Sequence, residues 1–365
     1  MKQLSIVIAA YNSQDYLRKC LDSLVIPSDK MELAEVIVVN DGSKDDTLAI
    51  AQEYHTKYPD YFIVIDKGNG NYGSCMNAAL KIVRGKYFRV LDSDDWFITE
   101  NYIKFLDELQ ETDADVITCE KMQYYAAHDL TDPRKFVQGV PFHQDLPACE
   151  ETWKTGILKV NFSTHVFTFK TQVLRDSSVV WDEGVFYTDH ETIHWAFKHA
   201  KSIRAIPMPV YVYYIGREDQ SVGGGNMLAS GVIKKNWKSV DTVVNRIVDD
   251  TLKEYDPQSP TATPLYIDLK NVLKMMVRSV VYNEKKYNDA VTALVEKLKT
   301  NPELYQRLLN DMTIYKKIPI LKGFVNNDWR LKLCRFLFKQ ELGNTWLWKL
   351  ILLAQGQNPN TLIRM

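Results

Sequence analysis

The 365-residue sequence contains no Cys-x-x-Cys pair, no internal repeat and no low-complexity tract. Its five cysteines, Cys20, Cys75, Cys119, Cys149 and Cys334, are scattered and odd in number. That argues against a disulfide framework or a cysteine-built zinc site and fits a reducing compartment. No apolar run reaches the roughly 20 residues of a membrane-spanning helix. Leu4 to Ala10 is apolar, but Tyr11-Asn12 follows without a small-residue cleavage site, so the segment reads as a first strand and not as a signal peptide. Charge of one sign is missing too. The 45 basic and 46 acidic residues leave a net charge of −1, and no electrostatic case for binding nucleic acid. The first β–α turn, Ala10-Tyr-Asn-Ser13, lacks glycine. A dinucleotide fold carries its fingerprint in that turn. Gly68-Asn-Gly-Asn-Tyr-Gly73, although it matches G-x-G-x-x-G, is therefore a poor nicotinamide site.

What is present is a series of buried-strand patterns. Ser5-Ile-Val-Ile-Ala9, Glu35-Val-Ile-Val-Val39, Tyr61-Phe-Ile-Val-Ile65 and Tyr87-Phe-Arg-Val-Leu91 are short apolar runs, each followed by a helical pattern. Ser43 with Asp46 reads as a capping box for the second helix. Four such alternations with short connections predict an α/β fold with a mainly parallel sheet and helices on both faces. After Gln123 the regularity fades, and Pro133, Pro141 and Pro147 mark a loop or lid. Val166-Phe-Thr-Phe169 and Val210-Tyr-Val-Tyr-Tyr214 read as further strands, with a helix from about Asp189 between them. Ser221-Val-Gly-Gly-Gly225 is the best boundary, giving domains at 1–225 and 226–365. The second of these is mainly helical, with Gln258-Ser-Pro-Thr-Ala-Thr-Pro264 as an internal linker.

The fourth strand runs straight into Asp92-Ser-Asp-Asp95. Open α/β sheets bind ligands at the carboxyl ends of their strands. In extended backbone Asp92 and Asp94 point the same way, and two carboxylates held together repel unless a cation joins them. Mg²⁺ or Mn²⁺ fits, with coordination positions left for phosphate oxygens. The bland alternative is an acidic turn leading to a helix capped by Thr99. His190-Glu-Thr-Ile-His194 matches the zinc motif H-E-x-x-H, but no third ligand follows, and such a reading leaves the Asp cluster without a role.

Taken together, Ser5-Ile-Val-Ile-Ala-Ala-Tyr-Asn12, Val39-Asn-Asp-Gly-Ser43, Asn71-x-Gly73 and Gly85-Lys-Tyr-Phe-Arg-Val-Leu-Asp-Ser-Asp-Asp-Trp96 resemble the family 2 glycosyltransferases of bacterial type, over about residues 4 to 222. Tyr187-Thr-Asp-His-Glu191 and Tyr213-Tyr-Ile-Gly-Arg-Glu-Asp-Gln-Ser221 reinforce the likeness. The resemblance implies a GT-A fold and an inverting, metal-dependent transfer of a sugar from a nucleotide-sugar donor, with UDP as the expected nucleotide, to a glycan or lipid-linked acceptor in cell-surface polysaccharide synthesis. It places Ala10, Tyr11, Asn12, Asp41, Ser43, Asn71, Gly73, Asp92, Ser93 and Arg217 on the donor. Asp92 and Asp94 fall on Mn²⁺ or Mg²⁺, and Asp189 becomes the base. One departure is Thr188, where many members carry Glu. A non-catalytic sugar-nucleotide-binding or scaffold protein on the same fold is the alternative. Lys316, Lys317, Lys322, Arg330, Lys332, Arg335 and Lys339, interleaved with Leu331, Phe336, Phe338, Trp346 and Trp348, read as a tail for an anionic membrane surface. Packing on the protein or across a homo-oligomer interface is the competing reading. The expected location is the cytoplasm, peripheral at the inner face of the cell membrane.

Overall fold

The computed structural model describes residues 2–134, 141–148, 151–152, 163–216, 236–259, 262–278, 285–314 and 318–326. Arg217, the expected boundary at 221–225 and most of the basic tail lie outside these residues. Among the described residues no helix is long and apolar enough to cross a membrane. The chain divides into two compact units, one of Met1–Gly216 with Asp256–Leu265, the other of Arg217–Tyr255 with Tyr266–Met365.

The first unit is built on strands β1 (Leu4–Ala10), β2 (Ala34–Asp41), β3 (Phe62–Lys67) and β4 (Tyr87–Val90), paired in parallel in the order β3-β2-β1-β4. Helices α1 (Gln14–Asp22), α2 (Ser28–Met31), α3 (Thr47–Lys57) and α4 (Asn71–Leu80) fill the connections. Every residue of β2 is buried, as parallel strands covered on both faces require. Leu4, Ile6 and Ile8 share one core with Leu17 and Leu21 of α1.

Beyond β4 the sheet turns mixed. After β5 (Trp96–Phe97) and α5 (Thr99–Gln110) come β6 (Val116–Tyr125), β7 (Leu130–Arg134), β8 (Asp145–Pro147), β9 (Phe167–Lys170), α6 (Thr171–Asp176), α7 (Asp189–His199) and β10 (Ser202–Ile215). The order continues β4-β9-β6-β10-β5, with β7 on β6 and β8 on β10. β9 lies antiparallel between β4 and β6, with Tyr87 opposite Lys170 and Phe88 opposite Phe169. Ahead of β9, Thr164–Val166 forms a 3-10 turn that lies at the carboxyl end of β4, with His165 beside Asp92.

The second unit carries α8 (Trp237–Glu254), α9 (Ala262–Arg278), α10 (Lys285–Leu298), α11 (Pro302–Asp311), the short pair β11 (Thr313–Ile314) and β12 (Ile318–Pro319), and α12 (Ile320–Val325). α8 buries Val240, Val243, Val244, Ile247, Val248 and Thr251, the spacing of one helical face. Asn301 caps α11 by accepting the Leu304 N–H at 3.1 Å, with Pro302 in the first turn.

Four local expectations are corrected. The stretch after Gln123 is not simply a loop, because β6 runs on to Tyr125 and β7 pairs with it. Pro133 is tolerated there because β7 is an edge strand. Ser43 and Asp46 make no capping box. Helix α3 starts at Thr47, and the Ser43 hydroxyl accepts the Asn12 N–H instead. Thr99 does not cap α5 but donates to the Ser23 carbonyl at 2.9 Å. Pro264 lies inside the first turn of α9, where its missing N–H costs nothing, so the linker is shorter than expected.

Candidate active site

The carboxyl ends of β1, β2 and β4 are laced into one surface. At the end of β1, Ala10 is buried and Tyr11 is 50% exposed. Asn12 sits in the left-handed region at φ 49° and accepts the Lys44 N–H at 2.8 Å through its side chain. Ser13 hydrogen-bonds Ser93 at 2.7 Å, which ties the first turn to the Asp turn. Asp41, buried at the end of β2, accepts from Lys67 Nζ at 2.6 Å and from the N–H groups of Gly70 and Asn71 at 2.9 and 2.8 Å. Its carboxylate thereby shapes the glycine-rich turn. Gly73 has its own reason: a Cβ there would lie 2.1 Å from the Asp182 carbonyl oxygen. This glycine motif serves close packing against the segment before α7.

The Asp turn is not extended. The Asp95 N–H donates to the Asp92 carbonyl at 3.0 Å, closing a turn over Asp92-Ser-Asp-Asp95. That turn, rather than an Asp-x-Asp alternation, decides which side chains meet. Asp92, Asp95 and His165 each present a ligand atom, all within 4.8 Å of one another. Asp94 is half-buried on the same turn, and its charge acts on Asp95. Asp95 is buried and held by β10, its carboxylate accepting from the Tyr211 hydroxyl and from the Tyr214 N–H at 2.7 Å. Burial first, then the charges of Asp92 and Asp94, hold its carboxyl well above the usual carboxylate range. The Tyr211 hydroxyl also accepts the Asp92 N–H at 3.2 Å, so one tyrosine steadies both acids.

His165 Nε2 stands 3.0 Å from Asp92 Oδ2. Its ring contacts Tyr211 and Tyr213, with centroids 5.0 and 4.8 Å away. Arg89, fully buried, holds this turn from beneath, donating to the His165 carbonyl at 3.0 Å and to Thr168 Oγ1 at 2.7 Å.

Asp189 is the first residue of α7. Its charge and that of Asp92 both reach the Tyr72 hydroxyl, the Tyr213 hydroxyl and the His165 ring. Two acids nearly a hundred positions apart in sequence thus act electrostatically on the same three side chains. Thr188 is fully buried, and Glu191 accepts the Asp182 N–H at 2.9 Å. His190 and His194 join no group of three metal-capable side chains among the described residues. Arg217 lies outside them.

Residues 5–178 match the family described as Glycosyl transferase family 2. This domain belongs to glycosyltransferase family 2. The chain is 27% identical over 256 residues to a poly(ribitol-phosphate) beta-glucosyltransferase of Bacillus spizizenii, covering 69% of this chain and 38% of that one. It is 35% identical over 223 residues to the putative glycosyltransferase EpsH of Bacillus subtilis, covering 58% of this chain and 60% of the relative. The chain therefore spans less than two thirds of either curated relative. Its fold matches S. aureus TarS 1-349 in complex with UDP-GlcNAc with a TM-score of 0.64 at 18% identity, covering 93% of this chain and 92% of that one. The GT-A architecture follows from that match.

The donor set of this site fits a divalent cation: carboxylate oxygens and one imidazole at a strand end, with acids near enough to repel. His165, Tyr211 and Lys121 were not singled out from sequence. The one available signal for His165 is its position just ahead of the Val166–Phe169 strand pattern.

Proposed function

We propose that this protein transfers a sugar from a UDP-sugar to a hydroxyl of a cell-surface polyol-phosphate or polysaccharide, with inversion at the anomeric carbon. The observation that carries this reading is the cluster of Asp92, Asp95 and His165 at the sheet's carboxyl edge, within the residues 5–178 that match Glycosyl transferase family 2. Tyr11 and Asp41 flank the place for uracil and ribose, with Asn12, Ser43, Asn71 and Gly73 shaping the turns around it. Asp92 and Asp94 hold Mn²⁺ or Mg²⁺, which supplies charge neutralisation to the departing diphosphate. Asp189 takes the proton of the acceptor hydroxyl as that oxygen attacks from the face opposite the diphosphate. Arg217 adds a cation on the diphosphate side. The UDP-GlcNAc complex of the structural relative and the name of the glucosyltransferase relative support the donor and acceptor classes.

The test is incubation with labelled UDP-glucose or UDP-GlcNAc, Mn²⁺ and poly(ribitol phosphate). Transfer of label into the polymer, with the product's anomeric configuration inverted by NMR, is the expected result. The absence of both UDP release and label transfer with every UDP-sugar tried overturns the reading.

A further inference from the structure

We infer that His165 is a ligand of the divalent cation and biases the site toward Mn²⁺ over Mg²⁺; this rests on the metal-dependent reading of the same site. Three independent features converge on it. The first is position. β9 pairs antiparallel with β4, and this brings the 3-10 turn ahead of β9, Thr164–Val166, to the carboxyl end of β4, where the Asp92 turn begins. The second is distance. His165 Nε2 and Asp92 Oδ2 are 3.0 Å apart, which is the spacing of neighbouring ligands around an octahedral ion with bonds of about 2.1 Å. The third is fixation. Tyr211 and Tyr213 contact the ring, Arg89 holds the His165 carbonyl, and Ser163 Oγ makes a short contact with Nδ1.

That last contact admits the tautomer a metal ligand needs. A metal-binding histidine donates its other N–H to an oxygen acceptor. With Nδ1–H donating to Ser163 Oγ, the lone pair of Nε2 faces a carboxylate oxygen. Two acceptors at that separation require a cation in front of them. Lys121 Nζ lies 3.4 Å from Nδ1, a longer contact than that of Ser163, and also stands over the Tyr213 ring at 5.1 Å. Were Lys121 or the Ser163 hydroxyl to donate to Nδ1 instead, Nε2–H would donate to Asp92 and His165 would only orient that acid.

Asp95 does not compete for the ion. Its carboxylate is taken up by Tyr211 and Tyr214. Asp92 and His165 remain, with Asp94 half-buried on the same turn. An imidazole within an oxygen set disfavours Mg²⁺, which demands hard oxygen ligands, more than Mn²⁺.

The experiment compares the full-length protein with His165→Gln, which keeps a side chain able to hydrogen-bond Asp92 but offers no imidazole. Mn²⁺ is titrated with UDP present, bound metal is counted by continuous-wave EPR, and pulsed EPR reads ¹⁴N modulation from a coordinated imidazole. Circular dichroism melts check that the variant folds. Imidazole modulation in the wild type that vanishes in His165→Gln is expected. Mn²⁺ affinity should fall at least about 10-fold, with a smaller loss for Mg²⁺ in competition. Bound Mn²⁺ without modulation in the wild type, or modulation unchanged in the variant, overturns the assignment while leaving the metal site standing. Failure of the wild type to bind Mn²⁺ at all removes the metal-dependent reading, and this inference with it.

Discussion

The two ends of the same parallel strands both bury acid, and they treat it in opposite ways. At the amino end, Glu35 of β2 is fully enclosed, accepting from the Ser5 hydroxyl, the Arg84 N–H and Arg84 Nε, each at 2.6 Å. Gly85 completes the enclosure. Its N–H donates to Ser5 Oγ at 2.8 Å, and a Cβ there would lie 2.4 Å from the Ser5 nitrogen. At the carboxyl end, three aspartates crowd one turn, and Asp95 is pushed toward its neutral form by burial and by the other two. One end is an acid satisfied by the fold. The other is a group of acids whose repulsion the fold leaves for a ligand to relieve. The two groups of carboxylates are thus distinguished by the partners each one finds, not by burial.

Breaking the carboxyl end should cost function and spare the fold. Asp94→Ala is expected to abolish donor turnover and the Mn²⁺-dependent part of UDP binding. Calorimetry with and without Mn²⁺ checks it, and unchanged metal-dependent affinity would remove Asp94 from the metal site. Asp189→Asn should keep UDP binding and lower turnover by about 10²–10⁴-fold, the usual worth of a positioned base. Near-normal turnover would move the base to Glu191 or His190.

Breaking the amino end should do the reverse. Glu35→Ala strands the Ser5 hydroxyl and the Arg84 N–H, which should destabilise the protein by about 1–3 kcal/mol. The midpoint of urea unfolding reads that loss, and donor turnover per folded molecule should stay at the wild-type level. A loss of turnover without a loss of stability would contradict the division between the two ends.

The smallest effect is a pH dependence. The folded-state pKa of Asp95 lies above its ordinary value of 3.8. Its contribution to stability is therefore fully present below that value and lost as pH rises through the folded-state pKa. Melting temperatures in EDTA, taken from about pH 5 to about pH 8 for the wild type and Asp95→Asn, should show the wild type losing ground to the variant as pH rises. A difference that stays flat across that range would show that Asp95 carries no such penalty.

The half of the sheet made of β1 to β4 was legible because parallel strands covered on both faces are written as unbroken apolar runs. Glu35 reads as part of that run although it is charged, because its partners, Ser5 and Arg84, are far from it in sequence. The other half was harder. β5, β7 and β8 are short edge or near-edge pieces with no clear alternation, and nothing in Phe167-Thr-Phe-Lys170 announces that β9 runs against its neighbours. The Asp turn was found by composition, yet its internal pairing was misjudged. An Asp-x-Asp spacing assumes extended backbone, whereas a hydrogen bond from Asp95 to Asp92 closes a turn. Tyr211 and His165 escaped notice because aromatic and lone histidine residues in strand patterns usually belong to a core. Their roles here come from where the ladder delivers them.

That ladder makes part of the site a matter of counting. Asp92 and His165 meet because the pairs Phe88–Phe169 and Tyr87–Lys170 bring the Asp turn after β4 and the 3-10 turn ahead of β9 to the same end of the ladder. Exchanging side chains along β4 or β9 leaves that count intact. Losing or gaining one residue in either strand does not, since it turns every following side chain to the opposite face. The segment should therefore drift freely in sequence while its length stays locked, and changes of length should collect elsewhere, in the connections that the ladder does not count.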